Sequence, residues 1–180
     1  MTAGSCPIVT WGSTAVERAA PFSCDRYLPE ADDALYRAVD VAAPAAILFR
    51  WLCQLTAGPY SYDWIDNFGR QSPRHLVPGV EHLEVGQRVM VFKLAEFEVD
   101  RHLTLLFRSS ILGDIAVTYA VVPAGPGRCR LVVKLLLRYP NIPVLRTVFG
   151  WTAAPLDLVM MRRQLLNLKA LAERQANAAS

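Results

Sequence analysis

The alternation of apolar and polar side chains predicts six β-strands along the chain. In the first, residues 35–41, apolar side chains share one face with Arg37, because successive side chains of a strand point to opposite sides. The most regular alternation lies in residues 129–139, and the Pro- and Gly-rich segment 123–127 predicts a hairpin turn before it. The other predicted strands are residues 88–94, 96–100, 101–108 and 114–122.

Apolar residues at helical spacing predict three helices between and after these strands. Pro44 is placed where a first-turn proline is tolerated, before a helix at residues 45–55. Ser61 can cap a second, short helix at residues 62–68. The longest helix is predicted at residues 152–175, after a proline-containing bridging segment, and its wide apolar face requires a sheet beneath it.

This order of elements predicts an α+β fold. One strand is followed by two helices, five antiparallel strands and a long helix, a layout with the helices on one face of the sheet. Residues 34–176 are predicted to form one domain, which is an ordinary size for a domain. Residues 1–33 lack periodicity and predict an extended arm. Its Trp11, Phe22 and Tyr27 would be poorly placed in water, so we expect the arm to lie against the domain.

Composition adds a surplus of apolar residues to this picture. They make up 53% of the 180 residues, against 19% charged residues, a balance slightly more apolar than average. An extended core, an apolar cavity or an oligomer interface would absorb the surplus. The net charge is +3, and the basic residues are scattered apart from the pair Arg162 and Arg163. A nucleic-acid partner is therefore not predicted.

The sequence also predicts no membrane span. Apolar runs are interrupted by Lys134, Arg146 and Asp157 before they reach the roughly 18 residues that a bilayer requires. The N-terminal segment carries no Lys or Arg before Arg18 and no continuous apolar stretch, so no signal peptide is expected. These features predict a cytoplasmic protein.

Residues that usually carry enzymatic chemistry are sparse. Cys6, Cys24, Cys53 and Cys129 show no CxxC spacing and are predicted to be reduced and structural. His75, His82 and His102 form no close ligand set, so no metal is predicted, and His102 is expected to face outward. Nucleophile elbows and phosphate-binding loops are absent from the sequence. We therefore predict no catalytic residues and no cofactor.

Short sequence motifs sharpen the fold prediction. The segment Tyr60-Ser61-Tyr62-Asp63-Trp64, followed by Asn67, resembles the YSYDWxxN signature of one bacterial branch of the START/Bet v 1-like (SRPBCC) superfamily, which includes polyketide cyclase/dehydrase-like proteins. Five further segments resemble that branch: Trp11-Gly12 with Thr14 and Glu17, Ala43-Pro44, Trp51-Leu52, residues 82–89, and the closing helix at residues 157–173. The resemblance covers essentially the whole chain. It departs at residues 56–59, which are shorter and more neutral than usual, and at Val117, where the branch commonly has Trp.

The resemblance implies a helix-grip fold, in which a curved antiparallel sheet wraps around a long C-terminal helix, with two short helices after the first strand. It also implies an apolar cavity between sheet and helix. Each candidate wall residue has an alternative as simple core packing, because inward-facing apolar residues are buried in any fold. By strand parity and helix position, the candidates are Trp64, Phe68, Phe92, Phe97, Leu103, Phe107, Val117, Tyr119, Val133, Leu135, Met160 and Met161.

The polar candidate in this predicted cavity is Asp63. Its aromatic neighbours Tyr62 and Trp64 could desolvate the carboxyl and raise its pKa enough for acid or base work. The alternative is structural, because a carboxylate in the first turn of a helix caps backbone amides and favours the positive end of the helix dipole.

Three functions follow from this reading. The first is a carrier or sensor of a hydrophobic small molecule, such as a lipid or a polyketide-like compound. The second is a cyclase/aromatase- or dehydratase-like enzyme, in which polar groups in the cavity move protons. The third is an interaction module whose cavity is filled. We favour the carrier because the predicted inner faces carry few ionisable residues.

Overall fold

The computed structural model describes residues 6–62 and 71–178, and these form a six-stranded antiparallel sheet with helices on its inner face. The strand order across the sheet is β1-β6-β5-β4-β3-β2. The strands are β1 (Asp33–Val41), β2 (Arg88–Val89), β3 (Phe92–Glu98), β4 (His102–Ser109), β5 (Gly113–Pro123) and β6 (Cys129–Arg138). The helices are α1 (Pro7–Thr10), α2 (Ala15–Ala19), α3 (Cys24–Tyr27), α4 (Ala45–Cys53), which continues as a 3-10 turn over Gln54–Thr56, and α5 (Pro143–Ala178).

The main core lies between the inner face of the sheet and helices α4 and α5. Leu165, Leu168 and Ala172 of α5 are fully buried there, together with Leu48 and Leu52 of α4. A long C-terminal helix held by a curved antiparallel sheet is the START/Bet v 1-like helix-grip fold, so the α+β class and the fold expected from the sequence are confirmed. Of the second helix expected after β1, residues 63–68 lie outside the described residues.

The helices α1–α3 pack on the sheet. The backbone amide of Ala38 in β1 donates to the carbonyl of Trp11 over 3.0 Å. The amide of Cys24 donates to Thr118 Oγ1 over 2.9 Å, and Cys24 is buried with Leu28 in a second, smaller core on the outer face of the sheet. Arg130 forms an ion pair with Glu17 at the same face. Helices α2 and α3 therefore cover the convex side of the sheet, whereas Val9 and Trp11, at α1, pack against the main core beside β1 and α5.

The boundary between the second and third predicted strands is wrong. A break was expected at residue 95, but β3 continues through this position with a β-bulge between Leu94 and Glu96. The chain turns instead at Met90, which has a φ of 56°, so that Val89 pairs with Phe92. A bulge adds one residue without ending a strand, and the alternation pattern therefore changes phase where the strand itself continues.

The start of the long helix is also wrong. It was expected near residue 152, after a bridging segment, whereas α5 begins at Pro143 and runs for 36 residues. Pro143 occupies the first position of the helix, where its missing amide hydrogen is not needed. Pro155 lies inside α5 and supplies no hydrogen bond to the preceding turn. The two prolines suggested loop structure, but one begins the helix and the other is tolerated within it.

Candidate functional site

A cavity of about 600 Å³ lies between the inner face of the sheet and the first half of α5. It exists because α5 approaches the sheet closely only in its second half: the buried side chains of α5 begin at Met161. Before that residue, the cavity separates the helix from β3–β6, while Arg37 of β1 still contacts Asp157 and Ala154. The sheet contributes Phe92, Leu105, Ile115, Val117, Tyr119 and Leu135 to the wall, and α5 contributes Phe149, Ala153, Leu156, Asp157, Met160 and Gln164.

The mouth of the cavity is apolar and partly exposed. Val91 lies in the turn between β2 and β3, Leu112 in the turn between β4 and β5, and Leu156 on α5, and all three line the cavity while remaining exposed to solvent. Exposed apolar side chains at the edge of a concave site favour the entry of an apolar molecule.

The structure places six of the sequence candidates on the cavity wall: Phe92, Val117, Tyr119, Leu135, Met160 and Met161. Phe97, Leu103, Phe107 and Val133 are not among the lining residues. Trp64, Phe68 and the polar candidate Asp63 lie outside the described residues.

The four candidates away from the wall all point to the inner side. Leu103 and Val133 are buried in the row of the sheet that contains Tyr119, where the core is filled. Phe107 packs edge-to-face on Phe92, with 6.1 Å between ring centroids. Phe97 is partly buried against the core. Alternation along a strand predicts which face of the sheet a side chain is on, but not whether the space beside it is hollow or filled. Inward-facing residues were therefore predicted as wall residues even where other side chains fill the space.

Hydrogen bonds tie the polar wall residues to one another and to the segment that precedes the undescribed residues. The Tyr119 hydroxyl donates to Gln164 Oε1 over 2.7 Å, and Gln164 Nε2 donates to the carbonyl of Pro59 over 2.6 Å. The Ser61 hydroxyl donates to the carbonyl of Met160 over 3.1 Å. Residues 59–61 are therefore fixed against α5 at the inner end of the cavity.

A buried ion pair stands beside this polar cluster. Arg37 Nη2 lies 2.8 Å from Asp157 Oδ2, and 1% and 14% of the two side chains are exposed. The second terminal nitrogen of Arg37 donates to the carbonyls of Val9 and Tyr36, each over 2.8 Å. The pair thus joins the arm, β1 and α5. Asp157 lines the cavity and Arg37 does not, so the carboxylate is the member of the pair that a bound molecule would meet.

Burial shifts the pKa values of both partners. Desolvation raises the pKa of Asp157 to about 6, although the positive charge of Arg37 and its hydrogen bond oppose that shift. Desolvation likewise lowers the pKa of Arg37 from its ordinary value, against the attraction of Asp157. At neutral pH Asp157 is ionised, and the cavity wall carries a carboxylate.

Sequence reasoning missed this pair, although both halves of the signal are present. Arg37 lies on the apolar face of the first predicted strand, where an unpaired charge would be costly. Asp157 is the one acidic residue of α5 before Glu173. A buried arginine requires a carboxylate partner, and the predicted helix over that strand, residues 152–175, offers Asp157 in its second turn.

The remaining candidate chemistry lies outside the cavity. His102 Nε2 is 3.2 Å from both Glu96 Oε1 and Ser23 Oγ, on the outer face beneath the arm. Cys24, Cys53 and Cys129 are buried, and burial raises the pKa values of their thiols to about 11, 12 and 11. Among the described residues, no group of His, Cys, Asp and Glu side chains is arranged to hold a metal ion.

Within the described part of the chain, α5 is the one helix long and apolar enough to cross a membrane. Its second half lies in the core of the fold, where Leu165, Leu168 and Ala172 are fully buried. Interrupting charges, on which the sequence argument relied, do not separate this helix from a spanning one. The absence of a membrane span stays a prediction.

No protein-family model matches the chain, and no curated protein matches it. Solved structures with a similar arrangement include the Zhui aromatase/cyclase from a Streptomyces species, at 17% identity, covering 82% of this chain and 97% of that one with a TM-score of 0.48. A START superfamily protein from Mycobacterium smegmatis is 13% identical, with 82% and 99% coverage and a TM-score of 0.42. A solution structure from Thermobifida fusca is 17% identical, with 77% and 94% coverage and a TM-score of 0.47.

Proposed function

We propose that this protein binds a hydrophobic small molecule, such as a lipid or a polyketide-like compound, in the cavity between the sheet and α5. The observation that carries the proposal is the cavity of about 600 Å³ beneath the first half of α5, whose wall is mostly apolar. A volume of this size is typical of small-molecule sites. A filled core, which would favour an interaction module, does not fit a hollow of this size.

The chain is proposed to be a member of the SRPBCC superfamily, in the bacterial branch with the YSYDWxxN motif. The motif-like segment at residues 157–173 supports this proposal, because two of its residues contact the end of β1. Glu173 accepts from the backbone amide of Ala42 over 2.8 Å, and Lys169 donates to the carbonyl of Asp40 over 2.6 Å. These contacts hold the closing helix against the end of β1. The cytoplasm is the proposed compartment, because the four cysteines are free thiols.

Native mass spectrometry of the protein purified under mild conditions tests the binding proposal. We expect the wild type to carry a non-covalent adduct of lipid-like mass, or to acquire one from a panel of fatty alcohols, fatty acids and aromatic polyketides. Val117→Trp is the control, because its larger side chain would occupy the cavity that Val117 now lines. An adduct that persists in Val117→Trp, or a wild type that binds nothing in the panel, would contradict the proposal.

An enzymatic role is the second candidate, and one observation favours it. The Asp157 carboxyl borders the cavity and has a pKa raised to about 6 by desolvation, which suits a group that moves protons near neutral pH. Incubation with an aromatic polyketide precursor discriminates the two roles. A cyclase or dehydratase would release a changed molecule, and Asp157→Asn would stop the conversion while the precursor still binds. A carrier would return the molecule unchanged.

A further inference from the structure

Most polar groups on the cavity wall can accept hydrogen bonds from a ligand but cannot donate them, and this limits the class of ligand. Four of the described lining residues carry a hydroxyl group, Ser61, Tyr119, Tyr139 and Thr152, and each hydroxyl already donates its hydrogen to the protein. Their acceptors are the carbonyl of Met160, Gln164 Oε1, the Asp33 carboxylate and the carbonyl of Val148. A hydroxyl has one hydrogen and two lone pairs. These four groups can therefore offer a ligand only acceptor sites.

The buried charge on this wall is also a hydrogen-bond acceptor. Asp157 is an acceptor when ionised, and the cation that pairs with it is turned away. Arg37 is 1% exposed, and its two terminal nitrogens are directed to Asp157 and to the carbonyls of Val9 and Tyr36. Among the described lining residues the cation is Arg138, which is 37% exposed and lies at the mouth within 3.8 Å of Asp114. A neutral donor also remains, the second amide hydrogen of Gln164.

The acceptors mark two points along α5. Asp157 and Gln164 are two helical turns apart on the same face of the helix, which separates them by about 10 Å. Tyr119 is held at the Gln164 end by its 2.7 Å hydrogen bond. The Asp157 point is the stronger of the two, because a hydrogen bond to a charged acceptor is about twice as strong as a neutral one.

We propose that the ligand of this cavity is an apolar molecule that carries a hydroxyl group, and that this hydroxyl donates to the Asp157 carboxylate. A molecule ending in a carboxylate is excluded from the same position, because two negative charges would meet in a desolvated site. The inference rests on the proposed binding function and deepens it: it selects alcohols and phenols over free fatty acids as the ligand class.

Three probes of matched shape test this selection: naphthalene, 2-naphthol and 2-naphthoate. Affinities are measured by titration calorimetry at neutral pH or slightly above, with the wild-type protein. We expect 2-naphthol to bind about tenfold or more tightly than naphthalene, because it adds one hydrogen bond to a charged acceptor. The carboxylate of 2-naphthoate is expected to weaken binding below that of naphthalene.

Two variants and one matched control assign the preference to Asp157. Asp157→Asn removes the charge and should bring the affinities of 2-naphthol and naphthalene to within about threefold of each other. Because it leaves Arg37 without its carboxylate, the double variant Arg37→Met/Asp157→Leu provides an independent, apolar replacement of the pair. Glu173→Gln is the control: it neutralises the other carboxylate of α5, which is not among the lining residues, and should leave the preference for 2-naphthol unchanged.

The outcomes distinguish the proposed ligand class from the proposed binding function. Equal affinity of the wild type for naphthalene and 2-naphthol would overturn the ligand class while leaving the cavity as a binding site. Tight binding of 2-naphthoate, or loss of the preference in Glu173→Gln, would overturn the assignment to Asp157. Failure of all three probes to bind would contradict the proposed function itself, and the ligand class with it.

Discussion

The two halves of α5 share one helical geometry but differ in their relation to the sheet. In the second half, from Met161 onward, Leu165, Leu168 and Ala172 are fully buried and Gln164 is buried beside them, whereas Arg162, Arg163 and Arg174 are exposed. In the first half apolar residues surround the helix: Val144 and Trp151 are 72% and 81% exposed, while Ala153 lines the cavity. The second half holds the fold together, and the first half forms the wall of a hollow site.

The carboxylates of the two halves also differ, because their pKa values are shifted in opposite directions. Burial raises the pKa of Asp157, in the first half, to about 6 despite its arginine partner. Burial also acts to raise the pKa of Glu173, in the second half, but hydrogen bonds from the Ala42 backbone and Lys169 outweigh it, so the pKa is lowered. Because perturbed pKa values cluster at functional sites, Asp157, and not Glu173, is the carboxylate that the binding proposal uses.

The largest expected effect comes from removing one partner of the buried ion pair. Asp157→Ala leaves the Arg37 charge buried without a counter-ion and should lower the free energy of unfolding by about 3–5 kcal/mol. Glu173→Ala, in the other half, removes an accessible pair and one backbone hydrogen bond and should cost about 1 kcal/mol. Urea denaturation followed by circular dichroism measures both. Equal losses would show that the two carboxylates have the same structural role.

Apolar truncations compare the packing of the two halves. Leu168→Ala removes a fully buried side chain and should cost about 2–5 kcal/mol. Leu156→Ala, at a residue 62% exposed, should change the free energy of unfolding by no more than about 0.5 kcal/mol. The same denaturation experiment measures both variants. A large loss from Leu156→Ala would mean that the first half of α5 is packed as tightly as the second.

Enlarged side chains compare the hollow with the filled part of the interior. Val117→Trp enters the cavity and should change stability by about 1 kcal/mol or less, whereas Val133→Trp enters a filled core and should cost about 1–3 kcal/mol or more. Thermal unfolding monitored by circular dichroism gives the ranking. If Val117→Trp were the more harmful substitution, the space beneath the first half of α5 would have to be closed.

The smallest expected effect is on pH dependence, and its sign differs between the two carboxylates. The folded protein holds the Asp157 proton more strongly than the unfolded chain, whose pKa is near 3.8. The Asp157 contribution to stability is therefore fully present below about pH 4 and is lost as the pH rises towards 6. Because the pKa of Glu173 is lowered from 4.5, its contribution is present above that pH and is lost as the pH falls below it.

Carbon-detected NMR titration of the side-chain carboxyls reads both groups in one sample. Asp157 should titrate near pH 6, and Glu173 below its ordinary 4.5. The difference in unfolding free energy between the wild type and Asp157→Asn, followed against pH, should change over the range in which Asp157 titrates. Titration of Asp157 near its ordinary value would contradict the burial of the ion pair.

The sequence predicted the strands and helices that have one solvent-exposed face and one buried face. Strand β6 alternates regularly and was located to within one residue, and the second half of α5 followed from its apolar stripe. The first half of α5 could not be predicted in this way, because a helix that is apolar all round has no periodicity to detect. The bulge in β3 also escaped prediction, since it shifts the alternation without ending the strand.

The sequence predicted which residues face the interior, but not which of them line the cavity. Parity placed Val117, Tyr119 and Leu135 on the inner side, and they line the cavity, but it could not separate them from Leu103 and Val133, which lie where the interior is filled. That distinction depends on where α5 leaves the sheet, a property of the assembled fold. The polar end could have been found from the arginine on the apolar face of β1.

The methionine methyl groups provide the most direct test of the hollow beneath the first half of α5. Three of the four methionines, Met90, Met160 and Met161, line the cavity. In a carbon-13 methyl-methionine spectrum titrated with naphthalene, the account predicts saturable shifts of these three signals, and loss of the shifts in Val117→Trp. Signals that stay in place while naphthalene is added to its solubility limit would contradict it.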